Sequence, residues 1–90
     1  MKRLTAVVHG SVQGVAFRAN TQRAASRLHV TGWVANQWDG TVKVVAEGAD
    51  ESLRQLEKWL RQGPRAARVT KVEVSWSEGI EEYRGFQIRY

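Results

Sequence analysis

The chain has 90 residues, which is one domain's length and leaves no room for a cleft between two lobes. It contains no cysteine and only 2 histidines, which excludes disulfides, thiolate metal centres, cysteine nucleophiles and multi-histidine metal sites. The 14 Lys and Arg residues outnumber the 9 Asp and Glu residues. The resulting net charge of +5 favours partners that carry phosphate, whether nucleic acids, membranes or small substrates.

Apolar segments are short throughout the chain. No run of about 18 apolar residues exists, so we predict no membrane span. The first ten residues are basic and then apolar, as in a signal peptide, but their apolar part is short and alternates with polar residues, which favours a strand. With no linker at either end, we expect one free-standing domain over residues 1–90, acting as a monomer in the cytoplasm.

The apolar periodicity switches repeatedly between that of a strand and that of a helix. The predicted elements are a strand at 3–9, a helix at 17–28, strands at 30–36 and 41–47, a helix beginning at Asp50, a strand at 69–76 and a short strand around 86–90. The residues expected to face the core from the two helices are Phe17, Thr21, Ala24, Ala25, Leu28, Leu53, Leu56, Trp59 and Leu60.

Short local signals mark the ends of these elements. Asp39-Gly40 is a dipeptide typical of hairpin turns, and it lies between the second and third strands. Asp50 is a good N-cap for the second helix. Gly63-Pro64 predicts the end of that helix, because proline cannot continue it.

The order of the elements predicts the fold class. Strand–helix–strand–strand–helix–strand, with a short strand appended, is the split β-α-β pattern of ferredoxin-like folds. Two helices cannot cover both faces of so small a sheet. We therefore predict an α+β sandwich in which both helices pack on one face of an antiparallel sheet. The fold alone does not determine a function.

The loop between the first strand and the first helix is the first candidate site. Its glycines, Gly10 and Gly14, allow the backbone to approach a ligand closely, and consecutive amides before a helix form an anion-binding concavity. Arg18 would add a planar guanidinium that binds two phosphate oxygens. The alternative is a tight turn that leaves Arg18 solvated. The loop lacks the Gly-Lys-Ser/Thr ending of a Walker A motif.

Asn36, at the end of the second predicted strand, is the second candidate. Its carboxamide both donates and accepts, so it can hold a water and a substrate oxygen at once. Asparagine is also common at the start of turns. The spacing alone favours that structural role.

Two motifs together resemble those of the acylphosphatase family. Residues 10–18, Gly-Ser-Val-Gln-Gly-Val-Ala-Phe-Arg, match the family's G-x-V-Q-G-V-x-F-R. Residues 32–48 match its second motif, G-W-V-x-N-x-x-x-G-x-V-x-x-x-x-x-G. The resemblance continues almost to the end of the chain. Two separate motifs at the expected interval make it specific.

The resemblance implies a metal-independent hydrolase that converts an acyl phosphate to a carboxylate and inorganic phosphate without a cofactor. In the family, the arginine matched by Arg18 and amides of the preceding loop bind the phosphoryl group, and the asparagine matched by Asn36 positions the attacking water. The loop residues implied to bind phosphate through their backbone are Ser11, Val12, Gln13, Gly14, Val15, Ala16 and Phe17. The implied partner is a small-molecule acyl phosphate, with no metal, nucleic acid or membrane.

Three residues depart from the family pattern. His29 stands where many members have glycine, which suits a left-handed helix end. Ala35 stands where a basic residue is frequent, and Trp38 lies in a turn where aromatic residues are not typical. Because Arg18 and Asn36 are both present, these departures bear on substrate preference rather than on catalysis.

Two alternatives belong to other functional classes. RNA recognition motifs share the split β-α-β layout, the chain is basic, and Arg84-Gly85-Phe86 resembles the start of an RNP1 segment. Gln87 breaks that pattern, and the segment falls on the last predicted strand rather than the third. The second alternative is a binding or regulatory module that keeps the phosphate pocket without turnover.

Overall fold

The computed structural model describes all 90 residues of the chain. Its elements are β1 (Lys2–Ser11), α1 (Phe17–Arg27), β2 (Thr31–Asn36), β3 (Val42–Gly48), α2 (Asp50–Gln62), β4 (Arg68–Glu78) and β5 (Phe86–Arg89). This order confirms the predicted α+β ferredoxin-like architecture. The signal-like first residues form β1, a strand with a neighbour on both sides.

The five strands form one sheet in the order β4-β1-β3-β2-β5. β1 pairs antiparallel with β3 and β4, and β2 pairs antiparallel with β3. β5 instead pairs parallel with β2, so the sheet predicted as antiparallel is mixed at this edge. The reason is the connection: β4 and β5 lie at opposite edges, and β5 starts at the end of the sheet where β4 finishes.

The hydrophobic core lies between the two helices and one face of the sheet. Alternate residues of β1, namely Leu4, Ala6 and Val8, are fully buried, as the period of a strand predicts. Of the helical residues predicted to face the core, seven are buried, namely Phe17, Thr21, Ala24, Ala25, Leu53, Leu56 and Leu60. Leu28 and Trp59 are only half-buried and pack against the edge of the core.

The predicted start of α2 at Asp50 is correct, but the predicted N-cap is wrong. Ala49, not Asp50, is the N-cap of α2, and no side chain caps the helix. Asp50 lies in the first turn, where its carboxylate accepts a hydrogen bond from Nε of Arg54 at 2.9 Å. Its negative charge is also stabilised there by the helix dipole. The predicted end is correct: α2 stops at Gln62, before Gly63 with φ of 70°.

A bulge redirects the end of β1 into the first loop. The pairing of β1 with β4 shifts register between His9 and Gly10, and Gly10 has φ of 126°. A Cβ atom at Gly10 would lie 2.0 Å from the carbonyl oxygen of Arg68, so only glycine fits. The bulge therefore needs this glycine and sets the direction in which the loop leaves the sheet.

A buried carboxylate anchors the connection between β4 and β5. The Glu47 side chain is 0% exposed and accepts hydrogen bonds from the amides of Ile80 at 2.9 Å and Glu82 at 3.1 Å. Nε of Arg3 donates to it at 3.0 Å, and Nη2 of Arg3 forms an ion pair with the same carboxylate at 2.9 Å. Burial raises the pKa of Glu47, but the hydrogen bonds from Ile80, Arg3 and Glu82 outweigh it and lower the pKa below its ordinary value.

Replacing His29 by glycine is expected to stabilise the end of α1. His29 has φ of 59°, and the amides of His29 and Val30 donate to the carbonyls of Ser26 and Ala25 at 3.2 Å, the pattern of a Schellman motif. The left-handed conformation costs a residue with a side chain about 1–2 kcal/mol, and glycine avoids this cost. Part of the stabilisation is lost again, because glycine also raises the conformational entropy of the unfolded chain. We expect a gain of about 0.5–1 kcal/mol in the free energy of unfolding. A urea midpoint below that of the wild type, at unchanged slope, would contradict this source of strain.

Candidate active site

The loop between β1 and α1 presents a row of free backbone amides. No amide from residues 13–19 donates a hydrogen bond within the chain. Gly14, with φ of 75°, and Ala16, with φ of 60°, are left-handed, and left-handed residues within a turn direct successive N–H groups towards one side. Ala16 is the N-cap of α1, and the first turn holds no acidic residue. The loop can therefore bind an anion, and the left-handed alanine is the kind of strain found at functional sites.

Arg18 brings an uncompensated positive charge to the same place. It is the second residue of α1, and none of the chain's ion pairs includes it. Its guanidinium carbon lies 4.8 Å from the ring centre of Tyr90, a cation–π contact that limits the side chain's freedom. The guanidinium keeps its donors free for a bound anion.

Asn36 carries a buried acceptor without a partner. It is the last residue of β2 and lies opposite Val42 of β3. Its Oδ1 is buried and accepts no hydrogen bond. Leaving a buried polar group unpaired costs about 1–3 kcal/mol, so this oxygen calls for a donor from outside the chain. A water molecule or a substrate hydroxyl would supply one. This observation favours the functional interpretation of Asn36 over the turn-initiating one.

The hairpin that follows Asn36 is held by its own side chains. Oδ1 of Asp39 accepts hydrogen bonds from Oγ1 of Thr41 at 2.7 Å and from its amide at 3.0 Å, and both bonds lower the pKa of Asp39. The amide of Gln37 donates to the carbonyl of Thr41 at 2.8 Å. Trp38, at the tip, is fully exposed. The hairpin therefore presents a rigid loop beside Asn36.

One cavity brings the two candidate groups together. It has a volume of about 150 Å³ and is lined by Val12, Gly14, Ala16, Phe17, Arg18, Ala19, Asn36, Ile88 and Tyr90. About 10–15 Å³ of such space is enough for one water, so the cavity has room for a small anion together with a water. The first loop, Arg18 and Asn36 therefore line one space.

The structure divides the predicted loop residues into two groups. Val12, Gly14, Ala16 and Phe17 line the cavity with Arg18 and Asn36, whereas Ser11, Gln13 and Val15 do not. Ser11 ends β1 and pairs with Arg68. Val15 packs against the core. The ring of Phe17 is itself buried and packs on Trp59 at 5.7 Å, so only its amide could serve a ligand.

Three of the cavity residues are not among the residues that the sequence predicts for the site. Ala19 continues the first turn of α1, a position that the predicted helix already contained. Ile88 and Tyr90 reach the site because β5 pairs with β2, with Ile88 opposite Val34. No local pattern marks either residue, since their place depends on a strand pairing across more than fifty positions of the chain.

The open face of the sheet bears on the RNA alternative. RNA recognition motifs stack bases on aromatic side chains of the two central strands. The central strands β1 and β3 contain no Phe, Tyr or Trp, and their one ring, that of His9, is hydrogen-bonded to Glu73 at 2.6 Å. Trp33 of β2 lies under the guanidinium of Arg89, whose carbon is 4.6 Å from the ring centre. The sheet therefore lacks the stacking platform of such a domain.

The structure shows neither a cluster of metal ligands nor a helix that could span a membrane. Nowhere do three His, Cys, Asp or Glu side chains come close enough to hold a metal ion. Neither helix has the length and apolar character that crossing a membrane requires.

Comparison with known proteins covers almost the whole chain. The family model described as acylphosphatase matches residues 4–88. Among curated relatives, an acylphosphatase of Salinibacter ruber is 48% identical over 98% of this chain and 93% of its own length. One from Thermococcus kodakarensis is 49% identical over 93% and 97%. A crystal structure of acylphosphatase from Bacillus subtilis matches with a TM-score of 0.96 and 34% identity, over 100% of both chains.

Proposed function

The chain belongs to the acylphosphatase family and is an acylphosphatase, and from that premise we propose that its cavity is the catalytic site. Arg18 and the amides of the 11–17 loop bind the phosphoryl group, and Asn36 positions the attacking water. One observation supports this above all others: free amides, an unpaired guanidinium and an unpaired buried oxygen meet in a single cavity. The substrate is a small acyl phosphate.

The anion is held by the loop and Arg18. Successive amides donate to the equatorial phosphoryl oxygens, and the guanidinium donates from two nitrogens. Both kinds of donor are in place before the substrate arrives, so they stabilise charge that develops in the transition state without reorganising. They supply the charge stabilisation that a metal ion supplies elsewhere, which supports metal-independent hydrolysis.

The water is held by Asn36. A water that donates to Oδ1 has its lone pair free to attack phosphorus, while the bond between phosphorus and the acyl oxygen breaks. The products are the carboxylate and inorganic phosphate. The attacking water's proton passes to a phosphoryl oxygen, and a carboxylate leaves without protonation, so no side chain needs to act as a base. Positioning and charge stabilisation supply most of the rate enhancement in such reactions.

Replacing Asn36 by alanine is expected to lower kcat for benzoyl phosphate by about 10–100-fold while KM changes little, because the water loses its anchor and the phosphate does not. Phosphate release is measured with EDTA present, and the wild type should keep its full rate. Gln55→Ala is the control and should leave kcat unchanged, since its carboxamide bonds Glu51 on the exposed face of α2, away from the cavity. A rise in KM alone would contradict the role of Asn36. A folded wild type that binds phosphate without turnover would favour the binding-module alternative.

We also propose that residues 1–90 form a single acylphosphatase-like domain that acts as a monomer in the cytoplasm. One core cluster contains 17 of the 23 buried residues, and the groups of the proposed site all line one cavity of this domain. Residues 2–11, which resemble a signal peptide in composition, are a central strand of the fold. Sedimentation velocity tests the oligomeric state, and cell fractionation tests the location.

A further inference from the structure

The side chain of Gln13 joins the two halves of the proposed site. Its Nε2 donates to the carbonyl oxygens of Gln37 at 2.5 Å and of Thr41 at 2.9 Å. Gln13 belongs to the anion-binding loop, whereas both acceptors belong to the hairpin that follows Asn36. The two contacts span 24 and 28 positions of the chain and join the loop to the hairpin beyond Val8 and Val42, the last paired residues of β1 and β3.

Both carbonyls already have a donor within the hairpin. The amide of Gly40 donates to the Gln37 carbonyl at 3.1 Å, and the amide of Gln37 donates to the Thr41 carbonyl at 2.8 Å. Neither carbonyl therefore needs the side-chain amide of Gln13 in order to have a hydrogen-bond donor. Its two hydrogen bonds instead fix where the hairpin lies relative to the loop.

We propose that the Gln13 side chain is a positioning residue for hydrolysis, acting through Asn36. This inference rests on the function proposed above. The anion is bound by the loop and Arg18, while the water is held one residue before the clamped carbonyl of Gln37. Attack requires the oxygen of this water to lie at a set distance from the phosphorus of the bound substrate. A displacement of about 1 Å can cost as much as about 100-fold in rate, so two hydrogen bonds across this gap affect kcat.

Gln13→Met tests the clamp, because methionine keeps the length of the side chain and removes both donors, and it leaves the backbone amide of residue 13 in place. We expect kcat for benzoyl phosphate to fall about tenfold. KM and the Kd of inorganic phosphate, measured by calorimetry, should stay near wild type. Gln13→Ala is the second variant, in case methionine disturbs the fold.

Gln22→Met is the matched control. Gln22 also donates from Nε2 to a partly buried carbonyl, that of Phe86 at 2.9 Å, but it joins α1 to β5 and does not touch the hairpin. Its replacement removes the same kind of bond. We expect Gln22→Met to lower the melting temperature about as much as Gln13→Met does, but to leave kcat unchanged. A purely structural role for Gln13 predicts that the two variants behave alike, which would overturn the proposal.

A double-mutant cycle with Asn36→Ala separates the two proposals. If Gln13 acts through Asn36, Gln13→Met should change kcat little once Asn36 is already alanine. Equal effects of Gln13→Met in both backgrounds, or no effect in the wild type, would overturn the role of Gln13 and leave that of Asn36 standing. A wild-type kcat in Asn36→Ala alone would overturn the water-positioning function, and the inference about Gln13 with it.

Discussion

Alanine at Arg18 is expected to lower kcat/KM for benzoyl phosphate by about 10²–10³, the loss typical of removing one preorganised donor to developing charge. Arg18 is the one charged side chain that lines the cavity. The free loop amides remain, so some binding of phosphate should persist. The variant should fold normally, because the side chain loses only its contact with the exposed ring of Tyr90.

The comparison needs two further variants. Arg23→Ala removes another arginine of α1, one that lies on the exposed surface and donates to Asn20, and should leave turnover unchanged. Arg18→Lys keeps the charge but not the planar pair of donors, so its activity should fall between those of alanine and wild type. Inorganic phosphate should inhibit the wild type competitively and Arg18→Ala much more weakly. Normal turnover in Arg18→Ala would show that the phosphoryl group binds elsewhere.

Glutamine at Glu47 is expected to lower the free energy of unfolding at pH 7 by about 2–3 kcal/mol. The amides of Ile80 and Glu82 would lose a charged acceptor, and the guanidinium of Arg3 would lose its buried partner. Glutamine has nearly the same volume as glutamate, so the substitution opens no cavity. The decrease in the free energy of unfolding therefore measures the effect of removing the charge. Urea denaturation measures the difference.

The effect should depend on pH in a defined direction. The folded pKa of Glu47 is lowered from 4.5, so the unfolded chain takes up the proton first as the pH falls. The contribution of ionised Glu47 to the free energy of unfolding is therefore complete above its pKa in the unfolded chain. It is lost as the pH falls through its pKa in the folded protein. The gap between wild type and Glu47→Gln should be widest near neutral pH and should narrow in acid. The pKa of Asp39 is also lowered, so protonation of Asp39 in acid reduces the stability of the wild type and of Glu47→Gln alike.

Glu78→Gln is the control for this prediction. Glu78 also pairs with a cation at the N-terminal end of β1, Lys2, but at 3.4 Å and with 79% of its side chain exposed. Surface pairs of this kind contribute about 0–1 kcal/mol, so its replacement should hardly change the urea midpoint. If both variants lose the same small amount at every pH, the buried carboxylate does not anchor the connection between β4 and β5.

Glu47 also illustrates what a local pattern misses. It follows Val45 by two positions on β3, on the face of the sheet that the helices do not cover, where a carboxylate would ordinarily be solvated. The connection between β4 and β5 covers it there and brings Ile80 and Glu82 to its oxygens. That contact joins residues more than thirty positions apart, and neither segment signals it alone.

The wrong cap at α2 has a different origin. Aspartate is favourable both at an N-cap and in the first turn, because each position places a carboxylate near free amides. The composition around Asp50 therefore predicts that a helix begins there but not which residue is its cap. The structure chooses the first turn, where Asp50 also pairs with Arg54.

The elements can be read from the sequence, because periodicity, glycines and helix ends are local properties, and the order of the elements predicts the fold class. The loop and Arg18 are candidates on the same local grounds, and the family resemblance implies their role. The tertiary structure alone decided that β5 runs parallel to β2, that Ile88 and Tyr90 line the cavity, that Oδ1 of Asn36 is buried without a partner, and that Gln13 clamps the hairpin. Each of these depends on contacts between distant segments, which packing of the whole core selects and no single stretch of chain encodes.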